Sequence, residues 1–195
     1  ELVGTNRKLE KGVLWLRRGC FVTLAAVFAG ALLLWTGSVA QNKLFMGDVS
    51  ENIAQFKAAR DTLPQRNPTL VETLPVLNPL RASTQVYDQE EHPLLNNLGL
   101  YDGSVDTAAD QLYQEQLAVT YLPALLHDIE LQLSRSNGSD KALLQTLKIY
   151  LMLFNDEKRD LNSLRSFMQA NWEAELSGQA GKQQQLTEHL DALLA

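Results

Sequence analysis

Few residues in this sequence stand at spacings that could do chemistry. The three histidines, His92, His127 and His189, lie far apart, and none sits at metal-ligand spacing from a Cys, Asp or Glu. Isolated histidines of this kind read as surface or helix-capping residues rather than ligands. Cys20 is the single cysteine, so it forms no disulfide within the chain and says nothing about redox compartment. Neither a Gly-x-Ser-x-Gly nucleophile turn nor a Gly-rich phosphate loop is present. Asp88, Glu90 and Glu91 cluster in a polar stretch from about Tyr87 to Asn97. They could hold a cation or touch a partner, but a solvated loop is the simpler reading. A membrane-anchored glycan hydrolase would need paired carboxylates across a cleft; Glu115, Asp128 and Glu130 instead fall at ordinary solvated helical positions. Asn137-Gly138-Ser139 is a formal glycosylation sequon, although the same residues suit a helix stop and the next start. Tyr113, Tyr121 and Trp172 at helical spacing are most simply core. No catalytic, cofactor-binding or metal-ligating residue is expected, nor any cofactor, and the chain reads as built to span, pack and bind rather than as an enzyme.

The elements that would position these residues begin with a sharp division of charge. Residues 1–18 carry Arg7, Lys8, Lys11, Arg17 and Arg18 against Glu1 and Glu10, a net +3. Residues 41–195 carry 12 basic and 21 acidic residues, a net -9, which disfavours nucleic acid as a partner. Between them Gly19–Ala40 is uncharged. A helix rises 1.5 Å per residue, so a run of this length reaches across the hydrocarbon core of a bilayer. Ser38-Val39-Ala40 resembles a signal-peptide cleavage site, but the apolar run is longer than a signal core and 18 residues precede it. A transmembrane helix at 19–40 is therefore preferred over a cleaved signal or a buried core helix, with Trp15 and Trp35 at its interfaces. The flanking cations place residues 1–18 in the cytoplasm and 41–195 outside it. Thr23, Ala25, Ala26, Ala29 and Gly30 would allow a second helix to approach closely. The chain opens on Glu1 and closes inside a helical pattern at Ala195, which reads as a fragment of something longer, truncated at its C-terminal end.

Residues 41–195 read as helices throughout, with no sustained two-residue alternation. The first runs from about Asp48 to Leu63, opened by Asp48 and Glu51 at capping-box spacing, with Ile53, Phe56 and Ala59 on one face. The alternative is an unbroken continuation of the membrane helix, against which only Gly47 argues. Asn67-Pro68 opens the next helix, and Pro75 and Pro79 divide residues 69–85 into two short or kinked pieces. Gly99-Leu100-Tyr101-Asp102-Gly103 turns into the longest helix, about Ser104 to Arg135. Here Val105, Ala109, Tyr113, Leu117, Tyr121, Leu125, Ile129 and Leu133 recur every four residues. On a straight helix that stripe drifts about 40° per step, so the helix must contact several neighbours in succession and reset its face near Pro123. Asn137-Gly138 ends it and Ser139-Asp140 starts the next. Leu147–Phe154, apolar nearly all round, is expected at the centre of the bundle. Asn155 or Asp156 caps the following helix, which buries Leu161, Leu164, Phe167, Met168 and Trp172. A last amphipathic segment spans about Lys182 to Leu194. The expected fold is all-α: one transmembrane helix followed by an antiparallel helical bundle.

Leu74-Pro75-Val76-Leu77 with Leu80-Arg81, Gly99-Leu100-Tyr101 with Gly103, Tyr113, Leu122-Pro123, Leu147-Lys148 with Tyr150-Leu151-Met152-Leu153, Asp160 and Trp172 follow in a characteristic order. Together they resemble the IcmF/TssM family, the large inner-membrane component of bacterial type VI secretion systems. Ala124 stands where the family often has a basic residue, and Pro79 adds a second break to the first motif. The resemblance implies a structural subunit of an oligomeric, envelope-spanning complex in the bacterial inner membrane. That complex docks a baseplate and gives passage to a contractile tail tube. The implied partners are further copies of the chain, a TssL-type inner-membrane protein, the lipid bilayer and a TssJ-type outer-membrane lipoprotein contacting regions C-terminal to this fragment. Residues 41–195 would be the membrane-proximal periplasmic part. The family's nucleotide site lies outside these residues. The alternative is the helical extracytoplasmic sensor domain of a membrane receptor, which requires a second span downstream.

Overall fold

The computed structural model describes residues 7–86, 103–135, 140–154 and 160–195, and these are helical with no strand among them. The helices are α1 (Arg7–Thr62), α2 (Leu70–Gln85), α3 (Ser104–Gln116), α4 (Leu122–Arg135), α5 (Asp140–Leu153), α6 (Leu161–Glu175) and α7 (Ala180–Leu194); a π-helical turn, Leu117–Tyr121, joins α3 to α4. The chain forms two units, and α1 contributes to the first as far as Met46 and to the second from Gly47. The Asp88, Glu90 and Glu91 cluster, the Gly99–Asp102 turn, the Asn137–Ser139 stop and the Asn155 or Asp156 cap lie outside the described residues.

In the first unit α1 holds the apolar run. Among the described residues it is the one helix long and apolar enough to cross a membrane, with a mean hydropathy of 2.0 in its most apolar window. Phe21, Leu24, Phe28, Leu33 and Trp35 stand exposed on its surface. Its two threonine hydroxyls in this run are satisfied within the helix, Thr23 donating to the Gly19 carbonyl at 2.9 Å and Thr36 to that of Leu33 at 3.0 Å. Hydrocarbon offers a polar group no other partner. The separate helix expected to open at Asp48 does not form: α1 runs unbroken through Gly47 to Thr62. A single glycine costs a helix interior only about 1 kcal/mol, too little to stop one already propagating.

The second unit is a helical bundle around one core. Phe56 of α1 enters it, flanked by Ile53 and Ala59. Thr69, not Asn67, caps α2, through a reciprocal capping box in which Glu72 accepts from the Thr69 N–H at 2.7 Å. Asn67 instead takes a positive φ of 44° in the preceding turn, a conformation Asn tolerates. Those hydrogen bonds also hold the Glu72 carboxyl below its ordinary pKa. Pro75 and Pro79 lie inside α2 without dividing it. Each interior proline costs about 3 kcal/mol, but the two stand four residues apart on the more exposed face. The other face buries Leu74, Val76, Leu77 and Leu80 almost completely, each contributing about 1.5–3 kcal/mol.

The four-residue stripe is resolved by the π turn. There Leu122 donates its N–H to the carbonyl of Leu117, five residues back, so the turn is wider than an α turn. A step of four overshoots an α turn and falls short of the wider one, and the drift reverses. Ala109, Tyr113, Leu117, Tyr121, Leu125 and Ile129 all stay buried as a result. The stripe meets α2 along α3 and the π turn, α7 at the π turn, and α2 and α5 along α4. Cross-pairing of Tyr121 with Leu186 and Gln114 with Ala192 sets α7 antiparallel to this helix. Pairing of Arg165 with Asp191 and Gln183 with Trp172 sets α7 antiparallel to α6.

Two expectations about α5 and α6 are corrected. The segment Leu147–Phe154 is not central: Thr146, Ile149 and Met152 are buried, whereas Leu147, Leu151 and Phe154 are exposed. Hydropathy all round a helix says how much surface wants cover, not how many neighbours arrive, and among the described residues α5 packs chiefly on α4 and α6. In α6 Leu164, Met168 and Trp172 are buried and Phe167 is partly so, but Leu161 is exposed. Asp160 forms the cap of α6, accepting from the Ser163 N–H at 3.1 Å, and that pairing lowers its pKa.

Candidate functional site

The polar groups of the second unit meet at its centre, where α2, α3 and α7 come together. His189 of α7 is fully buried, which corrects its reading as a surface or capping residue. Its Nδ1 lies 2.8 Å from the Tyr113 hydroxyl and its Nε2 lies 2.9 Å from Asn78 Oδ1. Asn78 donates from Nδ2 to Gln185 Oε1 at 3.2 Å, which leaves its Oδ1 as acceptor. The proton of a neutral His189 therefore sits on Nε2, and Nδ1 accepts from Tyr113. The rings of Tyr113 and Tyr121 pack edgewise and tilted against the imidazole, with centroids 5.9 and 6.0 Å away. Tyr121 donates its hydroxyl to the Leu186 carbonyl at 2.8 Å. At the margin Arg81 pairs with Glu188, and Arg165 donates to Asp191 at 2.7 Å.

Electrostatics follow the burial. Desolvation, aided by the Arg81 charge, pushes His189 down to about 4, so it is neutral at physiological pH. Burial pushes Tyr113 up to about 12 and Tyr121 well above its ordinary value. Neither hydroxyl is available as a proton donor to an external substrate, because each is already committed to a partner in the core. The arrangement ties three helices together around a buried imidazole.

A second polar region lies in a groove of about 960 Å³ between α4, α5 and α6, lined by Gln132, Arg135, Lys148, Asn171 and Glu175 among others. Asn171 donates to Gln132 Oε1 at 2.8 Å, Gln132 donates to Asp128 Oδ2 at 3.2 Å, and Arg135 lies 3.7 Å from Glu175. Asp128 is half-buried rather than solvated. Burial, reinforced by Glu175, raises it to about 6. Glu115 and Glu130 are exposed as expected, Glu130 accepting from the Tyr150 hydroxyl at 3.3 Å. None of the three carboxylates lines the groove.

Of the remaining sequence candidates, His127 is half-buried, Cys20 is free and exposed, and His92 lies outside the described residues. Tyr113, Tyr121 and Trp172 are core. No group of three or more His, Cys, Asp or Glu able to hold a metal occurs among the described residues. The motif residues themselves divide by structural role: Leu74, Val76, Leu77 and Leu80 fill the core, Arg81 and Tyr113 hold α7, Pro123 follows the π turn, and Asp160 caps α6.

A family model described as "IcmF-related: Intracellular multiplication and human macrophage-killing" matches residues 74–195, from the first motif to the last helix of the bundle. The chain belongs to the IcmF-related family. It is also 29% identical, over 99% of its length, to the type VI secretion system component TssM1 of Pseudomonas aeruginosa. It covers 17% of that relative's length. No solved structure matches the chain.

Proposed function

We propose that this chain is the anchoring and membrane-proximal part of a structural subunit in the membrane complex of a type VI secretion system. The observation that carries this reading is the match to the secretion component over nearly the whole chain, apolar helix included. Residues 19–40 span the inner membrane, residues 1–18 are cytoplasmic, and residues 41–195 form a periplasmic helical domain. The protein assembles with further copies of itself, with a TssL-type inner-membrane protein and, through regions beyond these residues, with a TssJ-type lipoprotein. It lines part of the trans-envelope path and anchors the baseplate and tail. This segment works by transmitting load and holding neighbours, not by catalysis. The interlocked His189, Tyr113, Asn78 and Arg81 side chains support that role, since they join helices distant in sequence.

The test uses the full-length protein in its own cell. Leu77→Asp places a charge at a fully buried position and is expected to abolish type VI-dependent killing of competitor cells. Val119→Asp, at an exposed position, is expected to leave killing intact. Killing that persists at normal levels in the Leu77→Asp strain, with the protein still present, overturns the proposal.

A further inference from the structure

The end of α1, residues 47–62, belongs to the second unit but is held there differently from the other helices. Each of α2–α7 makes a side-chain hydrogen bond to another helix, through Asn78, Tyr113, Gln132, Tyr150, Arg165 and His189 in turn. Among the described residues, the side-chain hydrogen bonds of residues 47–62 run from Gln55 to Glu51 and from Thr62 to Ala59. Both stay inside α1, and no ion pair leaves this stretch. Its hold on the bundle is apolar. Phe56, 4% exposed, is the one residue of α1 buried in the core, and Ile53 and Ala59 reach it only in part. Val49 is buried too but lies outside that core. Where α1 ends, a cleft of about 620 Å³ lies between it and the π turn. Arg60, Asp61 and Leu63 line one side, and Val119, Thr120 and Pro123 line the other. The linker that follows, 63–69, is not helical. It contains Pro64 and Pro68, and Asn67 takes its positive φ there.

From this geometry we infer that residues 47–62 are a releasable strap, which comes off the bundle around Phe56 while α2–α7 stay folded. Proteins open in cooperative pieces, and the piece with the fewest buried contacts opens first. A helical stretch of about 12–15 residues is marginal in water once its packing is lost, so release of the strap also unwinds it. Unwinding lengthens the chain ahead of α2, because an extended residue reaches more than twice as far as a helical one. Tension along that chain is therefore relieved by the strap before it reaches the core. The inference rests on the packing of the second unit and not on the secretion role.

The test is hydrogen exchange read by mass spectrometry on the full-length protein in detergent, corrected for intrinsic rates. Peptides from residues 47–62 are expected to exchange about 100-fold faster than peptides from α7, with a weaker dependence on added denaturant. Phe56→Ala is expected to speed exchange in 47–62 by at least about tenfold and to leave α7 at the parent's rate. Phe56→Leu, a milder change, is expected to act on the same residues by about threefold. Leu190→Ala, at a fully buried position of α7, is expected instead to speed exchange in α2, α3 and α7 together. Exchange of 47–62 and α7 at one rate and one denaturant slope would overturn the inference. So would exchange indifferent to Phe56→Ala, or a Phe56→Ala effect that spreads to every helix or unfolds the bundle.

Discussion

His189 and Asp128 titrate in the same acid window with opposite effects on stability. His189 falls from 6.5 to about 4 on folding, so between those values the unfolded chain binds more protons. Its contribution is fully present above about pH 6.5 and is lost as pH falls through about 4. Asp128 rises from 3.8 to about 6, so the folded chain binds more protons there. Its contribution is fully present below about 3.8 and is lost as pH rises through about 6. The two slopes oppose each other, and Asp128→Asn should expose the histidine in full. In detergent-solubilised protein, stability of that variant should rise by about 2 kcal/mol between about pH 4.5 and about pH 6, while the parent rises by about half as much. A flat profile for the variant, read by denaturant unfolding, would show that His189 is not held neutral by the core. Near neutral pH the same variant should exceed the parent by about 1 kcal/mol, since partial exposure screens the Asp128 charge. Neither shift was legible in the sequence. The groups that fix the His189 tautomer, Asn78 and Tyr113, lie 111 and 76 residues away, and no local pattern announces such partners.

At the scale of elements, what could be read was what local chemistry decides. The uncharged run, the four-residue stripe and the last amphipathic helix each depend on neighbours a few positions away, and each formed. What resisted reading was decided by packing at a distance. Pro75 and Pro79 look like helix breaks until the opposite face of α2 is seen to be buried end to end. The stripe required a reset near Pro123, but that the reset would be a π turn was not evident from spacing alone. The apolar circumference of α5 promised a central position that the exposure of Leu147 and Leu151 refutes. The continuity of α1 can be tested directly at Gly47, where an added Cβ meets nothing within 4 Å. Gly47→Ala should raise stability by about 0.5–1 kcal/mol, whereas Gly47→Pro should lower it by about 3 kcal/mol. Thermal melts followed by helical circular dichroism read both, and a Pro variant as stable as the parent would restore the helix break once expected there.

At the scale of the whole molecule, the division of charge is the feature from which a side of the membrane is predicted for each end of α1. Five cations precede the apolar run, while the 20 residues after it hold only Lys43, Lys57 and Arg60, and cations are retained on the cytoplasmic side. A soluble core helix would hide its apolar face, yet the apolar stretch of α1 is exposed over most of its length, up to a buried Ser38 near its end, as expected of a lipid-facing helix. These two observations predict one topology, and cysteine labelling distinguishes it from its inverse. In a Cys20→Ser background, Lys11→Cys and Lys43→Cys put single thiols at exposed positions on either side of the run. A membrane-impermeant maleimide added to cells with a permeabilised outer membrane should label position 43 alone. Position 11 should label only after the inner membrane is opened. Labelling in the reverse order would invert the orientation, and equal labelling of both positions in intact inner membranes would mean that α1 does not span.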